Sequence, residues 1–313
     1  MTWIICWATL VAVATRAARL PEALWAAVGA CALVSLGLLP WSEALAAISR
    51  GTDVYLFLLG MMVLAELLRR AGVFDWLAAH VLGAAHGSPL RLLALIYLVG
   101  VVITAFLSND ATAVVLAPAV ATALARTNAD PLPYLYACAF VANAASFLLP
   151  ISNPANLVVY GDHLPRLGPW VAAYGAASVV ALLLTFAALA LVWRGALRAA
   201  VHDEAVPVAL SAAGLRSLIA VGLSACFMVI AALRGYPLGA VTASVSLVSL
   251  LAVWGARPAE MVGVVRAIAW SIVPLVAGLF VVVSALDRVG FIGIVAAGFG
   301  KIQALPPSVA AQA

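Results

Sequence analysis

FLSNDATAVVLAP, Phe106 to Pro118, sets three polar residues side by side in an otherwise oily run. Mostly apolar residues lead into it from Leu90, and apolar residues resume at Ala113 and continue to Leu124. Ser108, Asn109 and Asp110 each carry groups that are costly to hold away from water without a partner. An apolar arm, a polar tip and a second apolar arm read as a hairpin. Irregular backbone at membrane depth is tolerated only where it is buried in protein or lines a watery cavity. The pattern therefore predicts a re-entrant hairpin over 89–126 inside a larger helical membrane protein.

The composition agrees with that setting. Of 313 residues 66% are apolar and 9% charged, and the mean hydropathy is +1.18. A soluble protein of this size would lack the polar residues to coat such a core. The net charge of +4 comes from scattered arginines rather than a cluster, which argues against a nucleic-acid partner. Cys6, Cys31, Cys138 and Cys226 form no CxxC pair and sit in or beside apolar runs, so neither a disulfide framework nor a zinc site is expected. The run Trp3 to Ala14 lacks a basic start and a small-residue cleavage site, and reads as a first span.

Spans of about 20 apolar residues, fewer where arginines snorkel at the ends, are predicted at roughly 2–18, 22–39, 53–69, 168–193, 215–233, 235–253 and 270–288. WSEALAAISR (41–50) and ARPAEMVGVVRAI (256–268) read as amphipathic helices at the interface. The polar stretch 194–214 divides the chain as a cytoplasmic loop. A second irregular segment lies within 131–160, where Asn143, Pro150, Ser152, Asn153, Pro154 and Asn156 interrupt an apolar run. It reads as a discontinuous helix.

Both interruptions carry helix-start signatures. The second hairpin arm begins near Ala111, so Ser108 to Asp110 occupy its cap positions, and Asn153 before Pro154 is an Asn cap with proline at the first helical position. Two half-helix N-termini would meet near the bilayer midplane, each offering free N–H groups and a partial positive charge.

Orientation follows from Lys and Arg. With the hairpin returning to its own side, one face collects eleven of them and the other five, which makes the richer face cytoplasmic, places the N-terminus outside and has the hairpin enter from the cytoplasm. A displacement of 218 residues aligns Gly37 with Gly255, Pro40 with Pro258, Gly60 with Gly278, Arg70 with Arg288 and Gly72 with Gly290. On this topology the two copies run in opposite senses. The fold class expected is an all-α polytopic membrane protein, an inverted-repeat secondary transporter with its first repeat in 1–193 and the second beginning at 215–313. The same displacement carries Ser108 to 326 and Asn153 to 371, past residue 313. The second repeat is therefore expected to be incomplete, the chain being the first ~70% of a protein of ~430 residues.

SNDATAVVLAP followed by ANAASFLLPISNPANLVVYG resembles the arsenical pump membrane subunit family of the ion-transporter superfamily. The resemblance implies export of arsenite or antimonite across the inner (plasma) membrane, by proton antiport or with a soluble ATPase subunit as partner. It implies a binding site of Ser108, Asn109, Asp110 and Thr112 at the hairpin tip with Asn143, Ser146, Ser152, Asn153 and Asn156 from the broken helix. No cofactor is implied beyond the proton gradient, with sodium as the other coupling ion. Dicarboxylate symporters of the superfamily resemble this pattern but carry SNT at the tip where this chain has Asn109-Asp110. A carboxylate there disfavours a bare anion and suits a cation, a proton or a neutral polyhydroxyl such as arsenous acid.

Asp110 and Glu66 are the candidates for carrying a coupling proton. Glu66 stands one turn before Arg69 and Arg70, so ion pairing explains it equally. Cys138 opens the broken helix and As(III) is thiophilic, but free cysteine is a frequent small core residue. His80, His86, His163 and His202 show no ligand-like spacing, and no metal site is expected. Sodium/proton antiport and anion symport are the alternatives within transporters. A channel is suggested by the single Asn153-Pro154-Ala155, but aquaporin-like pores need two in one compact chain. No HExxH, GxSxG or GxGD motif supports an enzyme.

Overall fold

The computed structural model describes residues 1–198, 201, 209–291, 293, 294 and 297. The divider at 194–214 and His202 therefore lie partly or wholly outside the described residues. All regular structure among those residues is helical. Four stretches are long and apolar enough to cross a bilayer, or five if the bent pair Trp41–Arg50 and Thr52–Arg70 counts as one. The chain forms two compact units, Met1–Tyr55 with Ala269–Ala313, and Leu56–Ile268.

The first unit contains α1 (Thr2–Thr15), α2 (Glu22–Ser35), α3 (Trp41–Arg50) and α14 (Ile272–Arg288). Two predicted spans come out shorter than expected. α1 ends where Arg16 takes φ 48°, and Gly37 at φ 68° follows α2, leaving 14 residues in each. At 1.5 Å per residue each covers about 21 Å. The core joins Cys6, Leu33 and Ala47 to Val281, Val282 and Ala285. A Cβ on Gly278 would lie 2.6 Å from the backbone carbonyl of Ala26, so α14 and α2 touch backbone to backbone. Arg288, at the end of α14, pairs with Glu43 of α3.

The second unit holds most of α4 (Thr52–Arg70), α5 (Val73–Ala84), α6 (Pro89–Leu107), α7 (Asn109–Leu124), α8 (Leu132–Ala144), α9 (Pro154–Tyr160), α10 (Leu167–Val192), α11 (Ala212–Arg234), α12 (Leu238–Trp254) and α13 (Pro258–Ala267). Helix starts carry the residues that favour them. Ser88 accepts from the Arg91 N–H with Pro89 at the first position, and Ser211 accepts from the Gly214 N–H. α4 packs on α12, where a Cβ on Gly60 would come within 3.0 Å of the Thr242 carbonyl. Arg70, at the end of α4, bonds Glu66 at 2.8 Å and reaches Glu260 of α13 at 3.4 Å. Its guanidinium fills a notch over Gly263, whose added Cβ would stand 2.4 Å from Nη1.

The 218-residue displacement carries helices onto helices. Residues 41–50 land on 259–268, against the observed Pro258–Ala267, and 52–70 land on 270–288, against Ile272–Arg288. Gly60 on α12 corresponds to Gly278 on α2, and Arg70 corresponds to Arg288, whose glutamate partners Glu260 and Glu43 fall one residue out of register. In each case a helix of one copy packs on a helix of the other.

The two arms flanking Ser108 pack against each other. Thr112 Oγ1 lies 2.8 Å from Thr104 Oγ1 and 3.5 Å from the Gly100 carbonyl, contacts that a continuous helix would separate by about 12 and 18 Å. α5, which the span search passed over, packs against both arms through Leu77, Ala78, Val81 and Leu82. The arms are longer than a midplane tip requires. α6 has 19 residues and is long and apolar enough to cross a bilayer by itself, so arm length gives no support to a tip near the midplane.

Candidate functional site

The hairpin tip and the broken helix meet. Ser152, fully buried in the turn Pro150–Ser152, donates from Oγ to the Ala105 carbonyl at 3.3 Å and accepts from the Leu149 N–H at 3.0 Å. One hydroxyl thus joins the last turn of α6 to the interruption between α8 and α9.

At the tip, Ser108 takes φ 85° and ψ 159° while only 3% exposed. This corner of backbone space is close to glycine-only, and a residue held there costs about 1–3 kcal/mol. The expected cap does not form: Ser108 occupies the cap position of α7, but its side chain accepts no bond from the helix. The reason is the same backbone angle, since a capping residue needs negative, extended φ to aim its oxygen at the next turn. Asn109 and Asp110 are instead the first two helical residues. Asn109 Oδ1 is buried and has no hydrogen-bond partner among the described residues. Asp110 is partly exposed and joins none of the ion pairs found among the described residues. Just beyond, Thr112–Leu116 is a π-helical stretch, a local widening that recurs at functional sites.

The broken helix follows its sequence signature closely. Asn153 caps α9 by accepting from the Ala155 N–H at 2.9 Å, with Pro154 at the first position. Asn156 turns inward, and its Nδ2 donates to the carbonyls of Ser146 at 3.0 Å and Pro150 at 3.3 Å. Those carbonyls lost their helical partners at the break, so Asn156 replaces them.

The nine predicted site residues therefore divide. Ser108, Asn109 and Asp110 stand at the hairpin tip and Ser152 and Asn153 at the break in the other helix, and the Ser152 bond to the Ala105 carbonyl links the two segments. The Thr112, Ser146 and Asn156 donors are spent on neighbouring protein groups, Ser146 on the Ala142 carbonyl at 2.8 Å. These residues shape the site more than they offer it groups. Asn143 is exposed on α8 and bonds back to Ala139 at 3.1 Å. Among the groups that remain available are two acceptors side by side at the tip, Asn109 Oδ1 and the Asp110 carboxylate.

The second coupling candidate, Glu66, is ion-paired. Glu66 receives Arg69 through both carboxylate oxygens at 2.6 Å and Arg70 at 2.8 Å. These are the i, i+3 and i, i+4 ion pairs that its spacing allows. Cys138 is fully buried in α8 and belongs to the core. Among the described residues no cluster of His, Cys, Asp and Glu could hold a metal ion.

Sequence reading missed one participant, the aromatic group on α10. The fully buried Trp170 donates its indole N–H to the Phe147 carbonyl at 2.9 Å. Tyr174, one turn on, lies 4.7 Å from Trp170 by ring centroids and 5.6 Å from Phe147, and its hydroxyl bonds that of Tyr160. The signal available was the spacing of Trp170 and Tyr174, which puts both on one helix face.

Comparison with known proteins bears on this arrangement. A family model described as citrate transporter matches residues 4–313. The arsenical pump membrane protein of Yersinia enterocolitica is 30% identical over 244 residues, 74% of this chain and 56% of that protein. The arsenical pump membrane protein of Escherichia coli is 32% identical over 103 residues, 32% of this chain and 24% of that protein. A 46 kDa membrane protein of Mycobacterium leprae (strain TN) is 30% identical over 162 residues, 49% of this chain and 38% of that protein. The chain thus spans only part of the length of the curated relatives it matches.

Proposed function

This chain belongs to the citrate transporter family of multi-pass membrane transporters, not to a class of enzymes, and we propose that it exports a small solute rich in hydrogen-bond donors, arsenite or antimonite as the neutral acid, against a returning proton. The observation that carries this reading is a pair of neighbouring acceptors at the tip. Asn109 Oδ1 is buried without a partner among the described residues, and Asp110 stands beside it. A neutral polyhydroxyl satisfies both, whereas a bare carboxylate anion meets like charge at Asp110. The 30% identity to an arsenical pump membrane protein over 74% of this chain supports the same choice.

Within this reading Asp110 alternates between the solute and a proton, and the interrupted helices form the first half of an inverted-repeat site. The hairpin enters from the cytoplasmic face of the inner membrane with the N-terminus outside. The solute leaves by secondary transport, and a soluble ATPase subunit is the partner to seek if a proton gradient alone does not drive it.

A second reading rests on the family description itself. A citrate-like anion carried together with a cation would also meet the tip, the cation taking the acceptors that the anion cannot. Thermal stability of the intact purified protein separates the two. Under the first reading, antimonite raises the melting temperature and citrate with sodium or a divalent cation leaves it unchanged. The reverse pattern would replace the first reading with the second.

A further inference from the structure

The break between α8 and α9 is tied to a separate helix at both of its ends. The break frees the carbonyls of residues 146, 147 and 150 from regular helical bonding. Asn156 captures those of Ser146 and Pro150. The carbonyl between them, that of Phe147, is bonded by the Trp170 indole of α10. The peptide after Phe147 is thereby fixed in rotation, and with it the entry into Pro150–Ser152 and Asn153. At the far end Tyr160, the last residue of α9, rests edge-on against Trp170 at 5.5 Å and bonds its hydroxyl to that of Tyr174. Phe147 stacks on both α10 rings, at 6.3 Å from Trp170 and 5.6 Å from Tyr174.

We propose that Trp170 and Tyr174 are positioning residues for the solute site, a two-point clamp that holds the segment from Phe147 to Tyr160 in its open geometry so that Ser152 keeps its bond to the Ala105 carbonyl at the end of α6. This rests on the transport reading above for its consequence in function, but the clamp itself does not depend on which solute is carried. The rings supply rigid apolar area, and each polar end makes one directional bond. An unmade bond to the Phe147 carbonyl leaves a buried acceptor unsatisfied, at a place where the backbone has no helix to fall back on.

The test uses the intact protein with the exposed Cys31 and Cys226 replaced by serine, and a reporter thiol at the exposed Ala155, as A155C. Trp170→Phe keeps a ring and loses the N–H. Trp170→His opens a comparable cavity but retains an N–H donor. Loss of the bond should speed maleimide reaction at A155C about tenfold in Trp170→Phe, with the reaction closer to the parent rate in Trp170→His. Tyr174→Phe should loosen the far end and speed it less. In transport assays with antimonite, Trp170→Phe should raise KM more than it lowers maximal rate. If Trp170→Phe and Trp170→His melt lower but leave both the A155C reaction and KM at parent values, the residue is only packing and the clamp is wrong. If the labelling changes as stated while no antimonite is carried, the clamp stands and the solute assignment falls.

Discussion

The Ser152 hydroxyl donates to the Ala105 carbonyl across 47 residues of chain at 3.3 Å. It is the bond that makes two separate interruptions into one site. Its second role, accepting from the Leu149 N–H, gives the turn Pro150–Ser152 its closure. The group is fully buried.

Ser152→Ala removes both bonds and leaves a buried carbonyl and a buried N–H without partners. The expected cost is about 1–3 kcal/mol of stability, read as a lower melting temperature in detergent, together with slower solute flux in vesicles. Ser152→Thr should retain the hydroxyl but crowd a site with no free space, so it should also melt below the parent.

Ser108 holds a backbone conformation that glycine adopts freely. Ser108→Gly relieves about 1–3 kcal/mol of strain and adds about 0.5–1 kcal/mol of unfolded-chain entropy. The net expectation is a protein about 1 kcal/mol more stable. Ser108→Ala keeps the strain and should not gain. Denaturant unfolding of the three proteins side by side checks the order.

Asp110→Asn preserves size and removes the titrating group. Under the antiport reading, solute flux loses its dependence on the proton gradient, while exchange of solute for solute continues. Glu66→Gln is the matched control, because its carboxylate is committed to Arg69 and Arg70, and the pH profile of transport should keep its shape. Equal pH profiles in the parent and Asp110→Asn would reject coupling through this residue.

Gly60 and Gly278 allow two helix pairs to touch at the backbone. An added methyl would stand within 3.0 Å of Thr242 main chain in one and 2.6 Å of Ala26 main chain in the other. Main chain cannot swing aside as a side chain can, so alanine at either place should destabilise by roughly 1–3 kcal/mol. Gly278→Ala should be the worse of the two. Gly263→Ala meets only the end of the Arg70 side chain and should be much milder. Melting temperatures of the three variants test the ranking.

The parts of the fold that were legible from sequence are those written in chemistry that acts locally. Asn153 before Pro154 specifies a cap and a helix start without reference to the rest of the chain, and the structure has both. Glu66 before Arg69 and Arg70 likewise specifies its own ion pairs. Ser108 looked equally local and was misread, because its backbone angle is imposed by the hairpin closing around it rather than by its own preference. α5 is not marked by length, since its 12 residues are too few to cross a bilayer, although Val73, Phe74, Leu77, Ala78, Val81 and Leu82 already form one helix face. The Trp170 bond to Phe147 joins two distant helices, and nothing in the neighbourhood of either residue specifies the other. The role of Asn156 was half visible. Its polarity marked the break, but its donors serve the backbone rather than a solute.

The contact between Gly278 and Ala26 also bears on biogenesis. α2 is released from the ribosome long before its partner, and at about 5–20 residues per second the interval is roughly 13–50 seconds. Through that time the first helices must wait in the bilayer with one side uncommitted, open to insertase, chaperone or protease. Slowing translation late in the message should therefore lower the yield of folded protein, even though every early segment has already been made.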